Sequence, residues 1–174
     1  MIKENKIFNF KILNLQEKNI MKKKSNNTQQ SYVMVKPRFA NNKDLIIEIK
    51  NRLAKVGVKV LKEDYINYDR DLAKEHYAEH VGKDFYPPLE DYIVSDICYG
   101  MVVEGKNAIS KIREIVGSTK EPADGTIRHD IPLIFKIESS TRENVIHASD
   151  SEQSAKREIG IFEKAVEKNQ ELNK

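Results

Sequence analysis

One cysteine, Cys98, is all the chain has. It can form no internal disulfide. It lies in the apolar stretch Ile97–Val103, where it reads as a small buried hydrophobe, and this usage fits a reducing compartment. Long apolar runs are missing too. None approaches the roughly 18 residues that span a bilayer, so no membrane helix is expected and the cytoplasm is the expected location. Neither GxxxxGK[ST] nor GxGxxG occurs. A chain that handles nucleotides without a glycine-rich cradle must grip phosphate with side chains. Residues 1–30 contain no arginine and no small-residue cleavage site, which argues against a leader peptide. No segment repeats.

What remains is a chain of 174 residues with 39% hydrophobic content, enough for one core. Its net charge of +3 is unevenly spread. Residues 1–30 carry seven lysines against two acids, a local +5, and residues 31–174 sum to −2. The basic character belongs to the N-terminal segment, so the body is expected to carry no specific nucleic-acid surface. The division expected is a disordered Lys/Asn-rich extension over 1–30, a folded domain over 31–165 and a charged tail over 166–174. Met21, ahead of Lys22-Lys23-Lys24, is a second candidate start.

Tyr32-Val33-Met34-Val35 reads as a strand that stops at Lys36-Pro37. Leu45, Ile46, Ile49, Leu53 and Val56 share one helix face, with Asn41 or Asn42 as cap and Gly57 as stop. Val58, Val60 and Leu61 open a second strand. Asp69–Val81 reads as a helix, and Pro87-Pro88 opens another. Ile97–Val103, nearly all apolar, is a central strand. Asn107 is expected to cap a helix that Gly117 closes. Residues 117–132 read as a long loop, and loops of that length are usually functional. Leu133–Ile137 is expected to be the fourth strand. Ser149 and Glu152 read as a capping box for the last helix. Without one helical hairpin the order is βαββαβ. The expected class is α+β: a ferredoxin-like, four-stranded antiparallel sheet with helices packed on it.

His147 is the residue most suited to chemistry. Near neutral pH an imidazole is partly unprotonated and can attack phosphorus. A lone histidine is more often structural. The polar residues Asn144, Ser149 and Asp150 around a helix start weigh against that reading, because helix N-termini favour phosphate oxygens. Arg113 and Arg128 flank the long loop, and paired guanidinium donors suit phosphate. Lys36 stands at a strand end. The pattern His76-Tyr77-Ala78-Glu79-His80 also fits H-x-x-E-H, a zinc-peptidase motif. Five-residue matches arise by chance, and no distal acidic ligand stands out.

From Ser31 to Phe162 the chain resembles the nucleoside diphosphate kinase family. NVIHASDSEQSAKREI at 144–159 is similar to the family's catalytic signature. EHY at 75–77, Phe85, EGKNA at 104–108, Arg113, GST at 117–119 and GTIR at 125–128 follow in family order. The resemblance implies that His147 is phosphorylated, and that Lys36, Tyr77, Arg113, Thr119, Arg128 and Asn144 hold phosphates and ribose. It implies that Phe85 stacks on the base and Leu89 lines the slot, that Ser149 and Glu158 support the histidine, and that Asp150 lies close by. It further implies Mg²⁺ carried on the nucleotide phosphates with no direct protein ligand, ping-pong transfer between nucleoside triphosphates and diphosphates, and a homo-oligomer, tetramer or hexamer, built from dimers. A catalytically weak relative, acting as a nucleotide-binding or regulatory protein, is the alternative. Three departures stand out. Arg38-Phe39 replaces Asp-Gly, the loop between Thr119 and Gly125 is shorter with Asp124 in place of proline, and Ala148 replaces Gly.

Overall fold

A computed structural model of the chain describes residues 27–172. Four strands form one antiparallel sheet: β1 Thr28–Val35, β2 Val58–Ile66, β3 Cys98–Lys106 and β4 Ile146–Ala148, in the order β2-β3-β1-β4. Six α-helices accompany them: α1 Lys43–Lys55, α2 Arg70–His76, α3 Tyr86–Ile93, α4 Ala108–Val116, α5 Ile127–Phe135 and α6 Glu152–Leu172. A short 3₁₀ turn, Ala78–His80, links α2 to α3. This is the ferredoxin-like arrangement with the α2–α3 pair inserted between β2 and β3.

Strand alternation sends neighbouring residues to opposite sheet faces. Val33, Val35, Met101 and Val103 pack with Leu45, Ile49, Leu53, Ile112 and Ile131, so α1, α4 and α5 cover one face. Tyr32, Met34, Cys98 and Val102 face the other way and meet Leu72, Ile93, Ile161 and Phe162 from α2, α3 and α6. Gly100 lets α6 approach: a Cβ there would lie 2.6 Å from the Phe162 ring and 2.8 Å from the Tyr32 hydroxyl. Cys98 is fully buried, as its apolar setting predicts.

Two predicted caps form as read: Asn42 accepts from the Leu45 amide at 3.0 Å, and Gly57 turns the chain at φ +76. Asn107 holds the N-cap position of α4, its carbonyl accepting from the Lys111 amide at 3.2 Å, but not through its side chain. Its backbone is left-handed (φ 53), its side chain makes no cap bond, and its amide oxygen accepts from Asn27 at 2.7 Å. The box at the start of α6 sits two residues later than predicted. Ser151 Oγ accepts from the Ser154 amide at 3.1 Å, and Ser154 Oγ accepts from the amides of Ser151 at 3.0 Å and Asp150 at 3.1 Å. The predicted 69–81 helix ends at His76.

The fourth strand is the main correction. Leu133–Phe135 belongs to α5, and the strand is Ile146–Ala148, which carries His147. A short apolar run cannot be assigned by periodicity alone. Here Leu133 is 66% and Ile134 55% exposed, so their apolar character did not mark a buried strand. At the ends, β1 starts at Thr28, so residues 28–30 of the expected extension pair with β3, and α6 runs to Leu172 through the expected tail. Residues 1–26, which hold the lysine-rich segment, lie outside the described residues.

Candidate active site

β4 pairs Met34 with His147. Ile146 and Ala148 therefore turn into one core layer, and His147 points the other way, toward α6. Its Nε2 lies 2.9 Å from Glu158 Oε2. The same carboxylate oxygen accepts from Ser149 Oγ at 2.7 Å. Ser149 is itself tied to β1, accepting from the Tyr32 amide at 3.0 Å. A carboxylate accepts, so the imidazole donates from Nε2, and in the neutral ring Nδ1 then keeps the lone pair. Glu158 is 2% exposed, and its bonds to Ser149 and His147 compensate its burial. Ser149 thus orients Glu158; it does not cap α6.

The start of α6 is not the phosphate cradle expected of it. The amides of Asp150 and Ser151 are already taken by Ser154, and the Asp150 carboxylate accepts from Ser154 Oγ at 2.7 Å. That hydroxyl holds the Asp150 carboxyl below its ordinary pKa. A carboxylate at the helix start repels phosphate.

His147 opens into a cavity of about 460 Å³ lined by Lys36, Tyr77, His80, Phe85, Leu89, Thr119, Lys120, Arg128, Thr141, Arg142, Asn144 and His147. Seven of the predicted residues, Lys36, Tyr77, Phe85, Leu89, Thr119, Arg128 and Asn144, thus meet the histidine at one site. Arg113 and Asp150 line the neighbouring cleft instead. Arg113 is still close enough that its charge depresses the pKa of Arg128. A larger cleft of about 720 Å³ lies at the far end of the sheet, by Lys50, Gly57 and Glu104, without a histidine.

The cations of the cavity have no carboxylate counter-charge among the described residues. Lys36 is 5% exposed, and burial, with Arg128 beside it, lowers its pKa from 10.5 to about 7. Arg128 donates to the backbone carbonyls of Gly117 at 2.6 Å and Ile146 at 3.2 Å, while its Nε has no acceptor. Burial and Arg113 lower its pKa to about 10. The Tyr77 hydroxyl and the Asn144 carbonyl oxygen are also buried without partners. Leaving such a group unmet costs about 1–3 kcal/mol, which a polar ligand recovers. Phe85 is 46% exposed at the mouth, with Lys83 Nζ 5.8 Å from its ring centroid.

Sequence reasoning missed Lys120, His80, Thr141 and Arg142 in this lining. Lys120 directly follows Thr119, and Arg142 stands two residues before Asn144. Both cations were legible only as neighbours of assigned residues. The H-x-x-E-H reading fails geometrically. His76 is buried with Nδ1 against the Tyr68 hydroxyl at 3.0 Å, whereas His80 stacks on Tyr77 and meets the Phe85 ring edge-on. The two do not form one ligand pair.

The Arg38-Phe39 departure is absorbed by the fold. Arg38 takes φ 70, a strained value for a side-chain-bearing residue, and pairs with Glu143 at 2.7 Å. Phe39 is fully buried in the core. The turn is pinned by the Phe39 and Ala40 amides on the Lys36 carbonyl, at 3.2 and 3.1 Å, and by the Tyr92 hydroxyl on the Pro37 carbonyl at 2.7 Å.

Sheet, histidine and unpaired cations together define a phosphotransferase built on a ferredoxin-like core. The chain belongs to the nucleoside diphosphate kinase family, whose sequence model matches residues 29–167. A protein named nucleoside diphosphate kinase from Listeria monocytogenes serotype 4b (strain F2365) is 44% identical over 136 residues, spanning 77% of this chain and 88% of that one. One of the same name from Metallosphaera sedula is 42% identical over 137 residues, spanning 78% and 93%. Among solved structures, the halophilic nucleoside diphosphate kinase of Halobacterium salinarum in complex with CDP superposes with a TM-score of 0.68 at 36% identity, covering 77% of this chain and 86% of that one. The Aquifex aeolicus enzyme gives 0.67 at 28% identity, covering 78% and 94%.

Proposed function

We propose that this chain moves the γ-phosphate of a nucleoside triphosphate to a nucleoside diphosphate through a phosphorylated His147. The carrying observation is the juxtaposition of an imidazole already bonded through Nε2 with a cluster of cations that have no internal counter-charge. Glu158 holds the ring and keeps the proton on Nε2. Nδ1 attacks the γ-phosphorus, the bond from phosphorus to the β–γ bridging oxygen breaks, and the diphosphate leaves. A second diphosphate enters, its terminal oxygen attacks the same phosphorus, and the N–P bond breaks. Donor and acceptor use one site, so the kinetics are ping-pong.

Lys36 and Arg128 hold the phosphates, and Arg113 approaches from the adjoining cleft. Such transfer leaves the protein mainly positioning and charge stabilisation. Thr119, Asn144 and Tyr77 supply polar contacts to phosphate and ribose. Phe85 stacks on the base, with Leu89 beneath it. Every base has a π-face, so base selectivity is weak. A divalent cation, Mg²⁺ in our reading, rides on the phosphates: the cavity lining contains no Asp or Glu to hold one.

Leu133 and Ile134, exposed on α5, favour a homo-oligomer built through that helix. A native mass measurement tests this. The buried thiol of Cys98 fits a cytoplasmic setting, and no described helix is long and apolar enough to cross a membrane.

Incubation with γ-labelled ATP tests the central claim. The wild type acquires an acid-labile, base-stable label, and His147→Ala does not. A wild type that stays unlabelled leaves the regulatory, nucleotide-binding reading in its place.

A further inference from the structure

His76 is the part of the histidine motif that the transfer reaction does not use. It is 1% exposed on α2, behind the nucleophile. Its Nδ1 faces the Tyr68 hydroxyl at 3.0 Å, and its Nε2 is buried with no partner. The ring meets that of His147 edge-on, with centroids 4.6 Å apart. Burial and the nearby positive charges hold its pKa well below 6.5, so it is a neutral ring with a lone pair to give. One ligand atom each from His76, His147 and Glu158 lie within 4.8 Å of one another.

We propose that His76, His147 and Glu158 form an inhibitory site for Zn²⁺ behind the nucleotide cavity. Two imidazoles and one carboxylate suit zinc, while Mg²⁺ and Ca²⁺ prefer all-oxygen shells. Three protein ligands leave the fourth position to water. Ligands about 2.0–2.1 Å from a tetrahedral ion sit roughly 3.4 Å apart, so separations of up to 4.8 Å close by at most about 1.4 Å, while the Nε2–Oε2 pair, now at 2.9 Å, opens by about 0.5 Å. The metal takes the Nε2 lone pair and the carboxylate, and the proton that Nε2 donated to Glu158 moves to Nδ1. Nδ1 then has no lone pair with which to attack phosphorus, and phosphorylation stops. The binding stands on geometry alone; the inhibition rests on the reading of His147 as phosphate carrier.

The test separates the two. Calorimetry with Zn²⁺ on the full chain, without nucleotide, should give one site on the wild type. The affinity should fall at least tenfold in His76→Gln and stay within twofold in His80→Gln. Binding unchanged in His76→Gln, or lost in His80→Gln, overturns the site. Wild-type protein preloaded with Zn²⁺ and freed of excess metal should take up no label from Mg²⁺-ATP until a chelator is added, whereas His76→Gln treated alike is labelled throughout. Labelling of fully zinc-loaded wild type overturns the inhibition. Metal-free protein that never labels defeats the carrier reading and leaves the calorimetric result to stand. Should His76→Gln not fold, Co²⁺ on the wild type decides: an intense four-coordinate visible spectrum that Zn²⁺ abolishes supports the site, and a weak six-coordinate one overturns it.

Discussion

The two ends of the cavity are built on opposite principles. At the histidine end the polar groups satisfy one another: His147 bonds Glu158, Glu158 bonds Ser149, and Ser149 bonds the backbone of Tyr32. At the phosphate end they do not. Lys36 is buried and Arg128 half-buried, both with their charges unmatched, and the oxygens of Tyr77 and Asn144 lack partners. One end holds its geometry without a ligand. The other carries an electrostatic and desolvation cost that, under the proposed function, an incoming polyphosphate would remove. A nucleophile needs fixed orientation before substrate arrives, and a binding site needs unspent attraction.

Several variants probe this contrast. His147→Ala should remove the nucleophile and lower turnover by at least about 10⁴-fold, seen in a coupled assay beside an unchanged circular dichroism spectrum. Arg128→Ala strikes the phosphate end. It should lower kcat/KM by about 10²–10³-fold while the fold persists; unchanged turnover would remove Arg128 from the phosphate site. Glu158→Gln loosens the prebonded end. The expected loss in kcat is about 10–100-fold with KM little changed, the range in which groups that orient a functional imidazole act.

Lys36→Met separates stability from function. The amine has its pKa lowered from 10.5 to about 7 in the folded state. Below pH 7 both states carry the proton, and the folded state bears the full cost of a buried charge. Between pH 7 and 10.5 the unfolded chain binds more protons, so this cost fades as pH rises. The variant should exceed wild type by roughly 1–3 kcal/mol in urea denaturation at pH 6, with the gap narrowing toward pH 10, although nucleotide binding weakens. A gap that widens with pH would contradict the buried-charge account. Phe85→Ala should have the smallest effect: about fivefold in KM, equal for purines and pyrimidines, from the loss of about 1 kcal/mol of stacking at a half-exposed ring.

Particular residues show why the sequence was readable in some places and not in others. His147, Glu158 and Ser149 lie within one continuous signature, so local order announced them. The alternating apolar residues of β1 and β3 and the helical spacing of Leu45, Ile49 and Leu53 set the layers. The fourth strand was misplaced because Leu133 and Ile134 are apolar yet exposed. The true strand, Ile146–Ala148, has only three residues and no pattern of its own. The capping box was misplaced because Ser149, Ser151 and Ser154 offer equivalent hydroxyls, and only packing decides which one meets the amides. Lys120 and Arg142 escaped notice because a surface cation looks the same in sequence whether it faces a cavity or bulk water.

The sequence by itself determined the α+β class, the two faces of the sheet and the family, because side-chain period and motif order are properties of the chain alone. Only the tertiary structure decided that His147 sits on a strand with one nitrogen engaged, that His76 stands behind it and His80 does not, and that Arg113 approaches from the next cleft. Those outcomes depend on burial and on contacts between residues far apart in the chain, and no local pattern encodes them.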